Sequence, residues 1–291
     1  MSLLAPPSEK LALRRLSWSS RPRILWSWSG RVGCALLVFV FAVAFVGPLV
    51  SPHSPYTTVG PPAAGPSAKA PLGTDFLGRD VLSRVLHGGA SVLELATITI
   101  LLTYALGISV GMIAGYNRSV LDSLLMRAVD LVLAFPAMLL LLVLVTGAGT
   151  GVGVLIVGVA LVLFPGVARI VRTATLEASV RAYVEAAVSR GEKTIVILTR
   201  EIFPNITPVV IADFGIRFGG AIILIASLNF LSLGLRPPTA DWGLMISENR
   251  EIITTNGWAV IAPAVMLALL TVAINLIGDA YTRSLGLSGD K

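Results

Sequence analysis

Ionisable, cysteine and histidine side chains are scarce in this sequence of 291 residues. Charged residues make up 13% of the chain, about half the quarter that is usual for soluble domains. One cysteine and two histidines exclude a disulfide framework and a cysteine-based metal site. The sequence contains neither a GxxxxGK(S/T) phosphate-binding loop nor an HExxH zinc motif. We therefore expect no catalytic residue, no metal site and no cofactor bound by the chain itself.

Hydrophobic residues, in contrast, make up 55% of the chain, and the mean hydropathy is +0.85. A soluble domain of this composition could not cover its own surface with polar groups. Disorder is excluded as well, because disordered chains combine low hydrophobicity with high charge. A transmembrane helix needs about 20 apolar residues. The composition therefore predicts an all-α integral membrane protein with six transmembrane helices.

The apolar stretches divide the chain into five parts. These are a basic cytoplasmic N-terminal segment (1–31), a first transmembrane helix (32–50), an extracytoplasmic loop (51–90), a core of five transmembrane helices (91–283) and a cytoplasmic tail (284–291). The core spans are predicted at 91–116, 129–145, 152–168, within 205–235 and within 258–277. The length of the first apolar run and of its basic flank favours an uncleaved span over a signal peptide. The basic segment either lies on the inner leaflet or is a disordered tail.

Lys and Arg residues are distributed unevenly between the predicted spans. Sixteen of them lie in one set of alternate segments and five in the other. By the positive-inside rule, both termini are cytoplasmic and 169–204 is the main cytoplasmic loop. This bias also explains the net charge of +6 without a nucleic-acid partner.

The loop 169–204 has the pattern of a surface helix. Apolar residues recur at helical spacing along one stripe, namely Leu176, Val180, Tyr183, Val184, Ala187 and Val188. Glu177, Arg181 and Glu185 follow one another at intervals of four, which predicts ion pairs on another face. Gly191 is a predicted helix stop, and a second short helix is expected from Thr194 to Leu198. Such a helix lies either on lipid or on a protein partner, and its composition does not choose between them.

The amino-acid sequence of this loop resembles the EAA signature of ABC importer permeases. Glu185-Ala186-Ala187 is followed after three residues by Gly191, and later by Pro204. In that family this segment is the coupling helix, which fits into a groove on an ATPase subunit. The resemblance implies that coupling to the ATPase depends on Tyr183, Glu185, Ala186, Ala187, Gly191 and Pro204. Small residues at 186, 187 and 191 would let another surface approach closely.

Other stretches narrow the resemblance to the C-type subunit of the oligopeptide, dipeptide and nickel permeases. They are Leu72-Gly73-Thr74-Asp75, Leu77-Gly78-Arg79-Asp80, Pro237-Pro238 with Trp242-Gly243, and Gly278-Asp279 with Arg283. The resemblance implies a type I importer fold in the bacterial cell membrane. It implies as partners a B-type permease, two ATPase subunits or one fused ATPase, an extracytoplasmic peptide-binding protein and membrane lipid. ATP and Mg²⁺ would be bound by the ATPase subunits. Peptide, nickel and other small solutes remain open as substrates, and a stand-alone transporter or channel is the alternative class.

Several ionisable residues lie in or near the predicted spans, where charges are costly and usually face a cavity or one another. They are Glu94, Asp130, Asp213, Arg217 and Asp279. Asp213 and Arg217 are four residues apart, which predicts a pair on one helix. Two interpretations stay open for the first four of these charges, a structural polar pair or the wall of a translocation path. Asp279 is expected at the inner end of the last span, where an acid costs little. Asp130 is predicted to pair with Arg127 near the inner surface.

Small residues and prolines mark helix contacts and bends. Gly107, Gly111 and Gly115 form two overlapping GxxxG patterns, which predict close packing of a second helix, either in this subunit or in a partner. Prolines in or at the spans predict bends of ordinary packing rather than hinges; they are Pro136, Pro165, Pro204, Pro208 and Pro263.

Overall fold

The computed structural model describes residues 27–117 and 119–284. The predictions for 1–26, for Arg118 and for the tail 285–291 lie outside the described residues. Within them, the regular structure is helical, with two isolated β-bridges, Thr58–Arg79 and Thr74–Asp80, in the loop after the first helix. The predicted all-α membrane fold is confirmed.

The described part of the chain folds mainly into nine α-helices. They are α1 (Trp28–Val50), α2 (Val81–Asn117), α3 (Val120–Leu133), α4 (Ala137–Ala148), α5 (Val152–Ser179), α6 (Ala182–Ser189), α7 (Thr194–Phe230), α8 (Trp242–Asn249) and α9 (Trp258–Ser284). Five of them, α1, α2, α5, α7 and α9, are long and apolar enough to cross a membrane, and α3 with α4 makes a sixth span if this bent pair is counted as one.

The third predicted span is broken. A continuous helix was expected over 129–145, but α3 and α4 meet at a bend of 91°, so this prediction is wrong. Pro136 stands immediately before α4 with extended ψ. Proline has no N–H for the helical ladder and forces the residue before it out of the helical conformation. The count of six spans therefore depends on a bent pair rather than on a straight helix.

The second span starts earlier than the sequence predicts. The loop was expected to run over 51–90, but α2 begins at Val81, so residues 81–90 are helical. Asp80 starts the helix because its carboxylate accepts the backbone N–H groups of Leu82 (3.3 Å) and Ser83 (3.2 Å). With 37 residues, α2 is about 55 Å long, which exceeds the roughly 30 Å of a bilayer's hydrocarbon core.

The loop 169–204 is divided differently from the prediction. One helix was expected to run from Leu176 to Val188. Instead α5 continues to Ser179, and α6 starts at Ala182 after Arg181, whose backbone is extended (φ −84°, ψ 146°). Glu177 and Glu185 therefore lie on different helices, and the predicted ladder of ion pairs through Arg181 is wrong.

The last part of this loop is continuous with the next span. Thr194–Leu198 was expected to form a separate helix, but it is the first part of α7. A π-helical turn at Ile197–Ile202 directly precedes the helical turn that contains Pro204. This wider turn accommodates a residue that lacks a backbone N–H. Pro204 thus belongs to the beginning of a membrane span and not to the surface helix.

The core lies where α2, α5 and α7 meet, and the contact between α2 and α5 is the most extensive among the described helices. α9 packs against α1 on one side and α7 on the other, and α8 is wedged between α7, α9 and the start of α2. The loop from Ser51 to Asp80 contacts α8 at one end of the bundle. α6 lies at the opposite end, beside the last turns of α2 and α5.

Candidate functional site

The surface helix α6 has a buried side and an exposed side. Val184 is 2% exposed and Ala187 is 0% exposed, and both face the π-helical turn Ile197–Ile202, against which α6 packs. The other side of the helix is open to solvent and consists of Ala182, Glu185, Ala186, Val188 and Ser189. The helix is therefore held in place by its inner side and presents one carboxylate among small residues on its outer side.

Ala187 was expected both to belong to the apolar stripe of the loop and to let another surface approach closely. It is fully buried in the chain's own core beside Val184, which agrees with the stripe. The expected contact of Ala187 with another surface is wrong, because a buried residue cannot make it. Ala186, one residue earlier, is the small residue that is exposed.

Gly191 ends α6 by its backbone conformation. Its φ is +75°, in the left-handed region that side chains other than glycine rarely adopt. The Gly191 N–H donates to the Val188 carbonyl (2.9 Å) and the Glu192 N–H to the Ala187 carbonyl (3.2 Å), which is the Schellman pattern of a helix end. A Cβ at Gly191 would meet no atom of the described chain within 4 Å. Conformation, rather than crowding within the chain, requires glycine here.

Two grooves flank α6. One, of about 370 Å³, is lined by Tyr116 of α2, by the end of α5 and by Glu185 and Val188. The other, of about 390 Å³, is lined on the opposite side by Glu177, Arg181, Tyr183 and Asn205, among others. Tyr183 packs, partly buried, against the chain, and this burial raises the pKa of its phenol. α6 thus stands as a ridge between two depressions at the end of the bundle.

The three glycines of α2 face α5 of the same chain. A Cβ at Gly107 would lie 2.6 Å from the Val167 Cβ, and one at Gly111 would lie 2.6 Å from the Ala168 carbonyl oxygen. At Gly115 the nearest atom, the Arg172 carbonyl oxygen, would be 2.7 Å away. No side chain fits at these distances. The two backbones therefore approach as closely as glycine allows along the C-terminal part of α2.

The ionisable residues in the spans do not form one cluster. Arg217 Nε donates to both carboxylate oxygens of Asp213 at 3.2 Å, and the Tyr104 hydroxyl of α2 donates to Asp213 at 2.9 Å. Glu94 is exposed on α2, with no ion pair to any described residue. The sequence spacing thus predicts the Asp213–Arg217 pair correctly, and it does not predict Tyr104 as the third member.

Asp130 has a different partner from the predicted one. Its carboxylate accepts from Arg169 of α5 at 2.6 Å, and Arg127 makes no ion pair with any described residue. Both members of the Asp130–Arg169 pair are more than half exposed. A second pair joins Arg172 of α5 to Asp122 of α3, also at 2.6 Å. Two ion pairs therefore attach α3, the helix before the bend at Pro136, to α5.

A buried ion cluster closes the opposite end of the bundle. Asp75 accepts from Arg79 Nε (2.6 Å) and Arg84 (2.9 Å), and Glu248 of α8 accepts from Arg84 (2.8 Å) and Arg79 (3.2 Å). All four side chains are at most 5% exposed. Burial raises the pKa of the Glu248 carboxyl, against the opposite influence of Arg84 and Arg79. The cluster fixes the loop before α2 to α8.

Two asparagines reinforce this junction, and sequence reasoning missed both of them together with Glu248. Asn249 Oδ1 accepts the Phe76 N–H at 3.0 Å, and Asn256 Nδ2 donates to the carbonyls of Leu72 (3.1 Å) and Thr74 (3.0 Å). The three polar residues follow the Trp242-Gly243 motif within fourteen positions but have no regular spacing. The loop partners of the two asparagines are more than 170 residues away along the chain.

Comparison with known proteins decides the family. The family described as binding-protein-dependent transport system inner membrane component matches residues 107–286. This range contains α5, α6, α7 and the glycine contacts of α2. The chain belongs to this family of ABC transporter permeases. Its all-helical fold also resembles a chain of the methionine ABC transporter MetNI in an inward-facing conformation, with a TM-score of 0.55 and 19% identity over 70% of this chain and 96% of that one.

Curated relatives place the permease among peptide permeases of the C type. The di/tripeptide permease DppC of Pseudomonas aeruginosa is 34% identical over 86% of this chain and 84% of its own. The glutathione permease GsiD of Pectobacterium atrosepticum is 35% identical over 76% and 73%, and the dipeptide permease DppC of Bacillus subtilis is 32% identical over 87% and 80%. The resemblance seen in the sequence motifs is confirmed.

The positive φ of Gly191 at the end of α6 can be tested by substitution. We expect Gly191→Ala to destabilise the end of α6 locally by about 1 kcal/mol, because alanine pays a steric cost at positive φ. Hydrogen exchange of residues 182–192 in the purified protein would become faster. Gly147→Ala is the matched control, since Gly147 is helical and a Cβ there meets no atom within 4 Å. Unchanged exchange in Gly191→Ala would show that the positive φ is not required.

Proposed function

We propose that this permease is a transmembrane subunit of an ATP-driven importer of peptides. In this proposal it forms the translocation path together with a second, B-type permease. An extracytoplasmic binding protein delivers the peptide, and either two ATPase subunits or one fused ATPase bind and hydrolyse ATP with Mg²⁺. The permease itself carries out no catalytic step and couples to the ATPase through the exposed side of α6.

The observation that carries the proposal is the connection of α6 to two spans. Two residues separate α5 from α6, and four residues separate α6 from α7. The inner side of α6 is packed on α7, while its outer side exposes Glu185, Ala186 and Ser189. A protein that binds the outer side and moves would therefore displace the ends of two membrane-spanning helices together. That is the mechanical requirement for coupling an external energy source to a change in access.

The proposed orientation in the membrane follows from the distribution of Lys and Arg, and the proposed substrate follows from the relatives. The excess of Lys and Arg places α6 and both termini in the cytoplasm, in a bacterial cell membrane. The loop from Ser51 to Asp80, fixed to α8, then lies on the extracytoplasmic side, where a binding protein would dock. Relatives named for dipeptides, di/tripeptides and glutathione favour short peptides over nickel as the substrate.

Reversing the charge of Glu185 tests the coupling role. We expect Glu185→Lys to lower ATP-dependent peptide uptake by about tenfold or more, because a lysine at an interface that accepts a carboxylate introduces repulsion and loses an attraction. ATP hydrolysis by the assembled complex would continue and would no longer be tied to uptake. Both rates are measured in proteoliposomes that contain the complete complex and its binding protein.

The matched control is Asp279→Lys, since Asp279 is also an exposed carboxylate, near the inner end of α9 and away from α6. Its uptake should stay within about twofold of the wild type, because exposed charges contribute little. Equal uptake by Glu185→Lys and the wild type would contradict the coupling role of this side chain. Full uptake by this polypeptide alone, without ATPase subunits, would contradict the importer proposal as a whole.

A further inference from the structure

Arg217 is held by one edge of its guanidinium group. Its Nε donates to both oxygens of Asp213 at 3.2 Å, one helical turn away on α7. Asp213 is itself fixed by the Tyr104 hydroxyl of α2 at 2.9 Å. The Asp213 side chain is 10% exposed and that of Arg217 is 25% exposed. Asp213 and Tyr104 therefore determine where the guanidinium lies and in which direction its far edge points.

The far edge has no acceptor in the described part of the chain. Neither terminal nitrogen of Arg217 makes a hydrogen bond or ion pair there, since its contacts with Asp213 all pass through Nε. The group lies over Gly166 of α5, where a Cβ would be only 2.6 Å from the Arg217 Cζ. Both terminal nitrogens lie as close to that position as Cζ does, so the guanidinium packs directly on Gly166. The absence of a side chain at 166 makes room for the group, and a quarter of the Arg217 side chain remains exposed.

This arrangement is costly within a membrane span unless an acceptor is supplied. Polar groups at membrane depth are satisfied by other protein groups or face a water-filled cavity. The two terminal nitrogens of an arginine present parallel N–H donors, and this geometry matches a carboxylate. The structure therefore has a fixed, partly exposed donor pair whose complementary ligand is a carboxylate.

A second ion pair lies beside it along α5. Arg169 is three residues after Gly166, so the two positions are neighbours on the helix surface. Arg169 pairs with Asp130 at 2.6 Å, and the two side chains are 54% and 58% exposed. Polar groups therefore continue from Arg217 toward the end of α5 that leads to α6. Two polar groups at neighbouring positions on one helix suit a hydrated path and are unfavourable on a lipid-facing surface.

We propose that Arg217 binds a carboxylate of the transported peptide inside the translocation path, with Asp213 and Tyr104 as its positioning residues. The proposal rests on the proposed function of peptide import. The carboxylate comes either from the C-terminus or from an acidic side chain of the peptide, because both present the same two oxygens. Arg217 thereby contributes to selectivity within the membrane, after the binding protein has released its ligand.

The test compares three peptides in the complete complex with its binding protein in proteoliposomes. They are tri-alanine with a free C-terminus, tri-alanine amide, and the amide of Ala-Glu-Ala. In Arg217→Gln we expect uptake of tri-alanine relative to its amide to fall about tenfold from the wild-type ratio, as for a lost charge-assisted hydrogen-bonded pair. The same binding protein serves both variants, so its own preference cancels from this comparison.

Further variants separate recognition from structure. Arg217→Lys keeps the charge and loses the fork, so its ratio should lie between those of the wild type and Arg217→Gln. The double variant Asp213→Asn/Arg217→Gln is neutral and similar in volume, and it should show the full change in ratio even if the single variant assembles poorly. Tyr104→Phe should change the ratio by about threefold through looser positioning of Asp213. Arg236→Gln, on the loop before α8, should leave it unchanged.

Each outcome has a defined meaning. If Ala-Glu-Ala amide depends on Arg217 as tri-alanine does, the acidic side chain also serves as the ligand; if it does not, the terminal carboxylate is the ligand. A ratio that is the same in the wild type, Arg217→Gln and the double variant overturns the inference, and so does an equal loss for all three peptides. Failure of the wild-type complex to take up any peptide would instead overturn the proposed function.

Discussion

Replacing Arg84 by methionine is expected to destabilise the folded permease by about 3–5 kcal/mol, the cost of breaking a buried ion pair by removing one partner. The Arg84 side chain is 0% exposed and donates to Asp75 (2.9 Å) and Glu248 (2.8 Å). After the substitution, two buried carboxylates would share Arg79 alone, which leaves an uncompensated negative charge. In a protein of this size, that loss corresponds to about 10 °C in Tm, measurable by thermal unfolding in detergent.

Two further variants make this expectation specific to the ion cluster. Arg236→Met removes a mostly exposed arginine from the neighbouring loop and should change Tm by no more than about 2 °C. Arg84→Met/Glu248→Leu restores neutrality and should recover part of the lost stability, since an apolar pair often replaces a buried ion pair without a large cost. If Arg84→Met had the same Tm as the wild type, the cluster would not fix the loop before α2 to α8.

The second large effect is expected at the contact between α2 and α5. Gly111→Leu should cost about 3 kcal/mol or more, because even its Cβ would lie 2.6 Å from the Ala168 carbonyl oxygen and 2.7 Å from the Val171 Cβ. Backbone atoms cannot rotate away, so the helices must separate. The change would lower both Tm and peptide uptake by the assembled complex, and Gly111→Ala should have a smaller effect in the same direction.

Gly147→Leu serves as the control for adding the same side chain to a helical glycine. A Cβ at Gly147 meets no atom within 4 Å, so this variant should retain the wild-type Tm within about 2 °C. Wild-type stability of Gly111→Leu would mean that the close approach of the two helices is not required for folding. A loss of uptake without any loss of stability would place Gly111 in the moving part of the permease.

The sequence predicts the positions of most spans well, but it predicts their bends and their first residues poorly. Apolar runs locate α1, α5 and α9 because crossing a bilayer imposes length and composition on contiguous residues. The bend at Pro136 is different, since a proline predicts a kink but its angle depends on what packs around it. The early start of α2 depends on a single carboxylate, that of Asp80. An aspartate in a loop can have several roles, so the sequence alone does not show that this one caps a helix.

Local spacing likewise predicts only part of the candidate site. Asp213 and Arg217 lie on one helix, so a separation of four residues is sufficient to predict their pair. Asp130 pairs with Arg169, which is 39 residues away, and that choice depends on how α3 folds back onto α5. The buried side of α6 is predicted by the same local spacing, since Val184 and Ala187 belong to the apolar stripe and are buried while Ala186 is exposed. The break at Arg181, which puts Glu177 and Glu185 on different helices, is not predicted.

The uninterrupted length of α2 has a mechanical consequence. Arg84, near one end, belongs to the buried ion cluster, and Tyr116, near the other, lines the groove beside Glu185. A rigid rod of about 55 Å that pivots near its middle moves its two ends in opposite directions, by about 5 Å each for a tilt of about 10°. A protein that displaces the loop 51–80 would therefore also displace the groove beside Glu185, at the opposite end of the same helix.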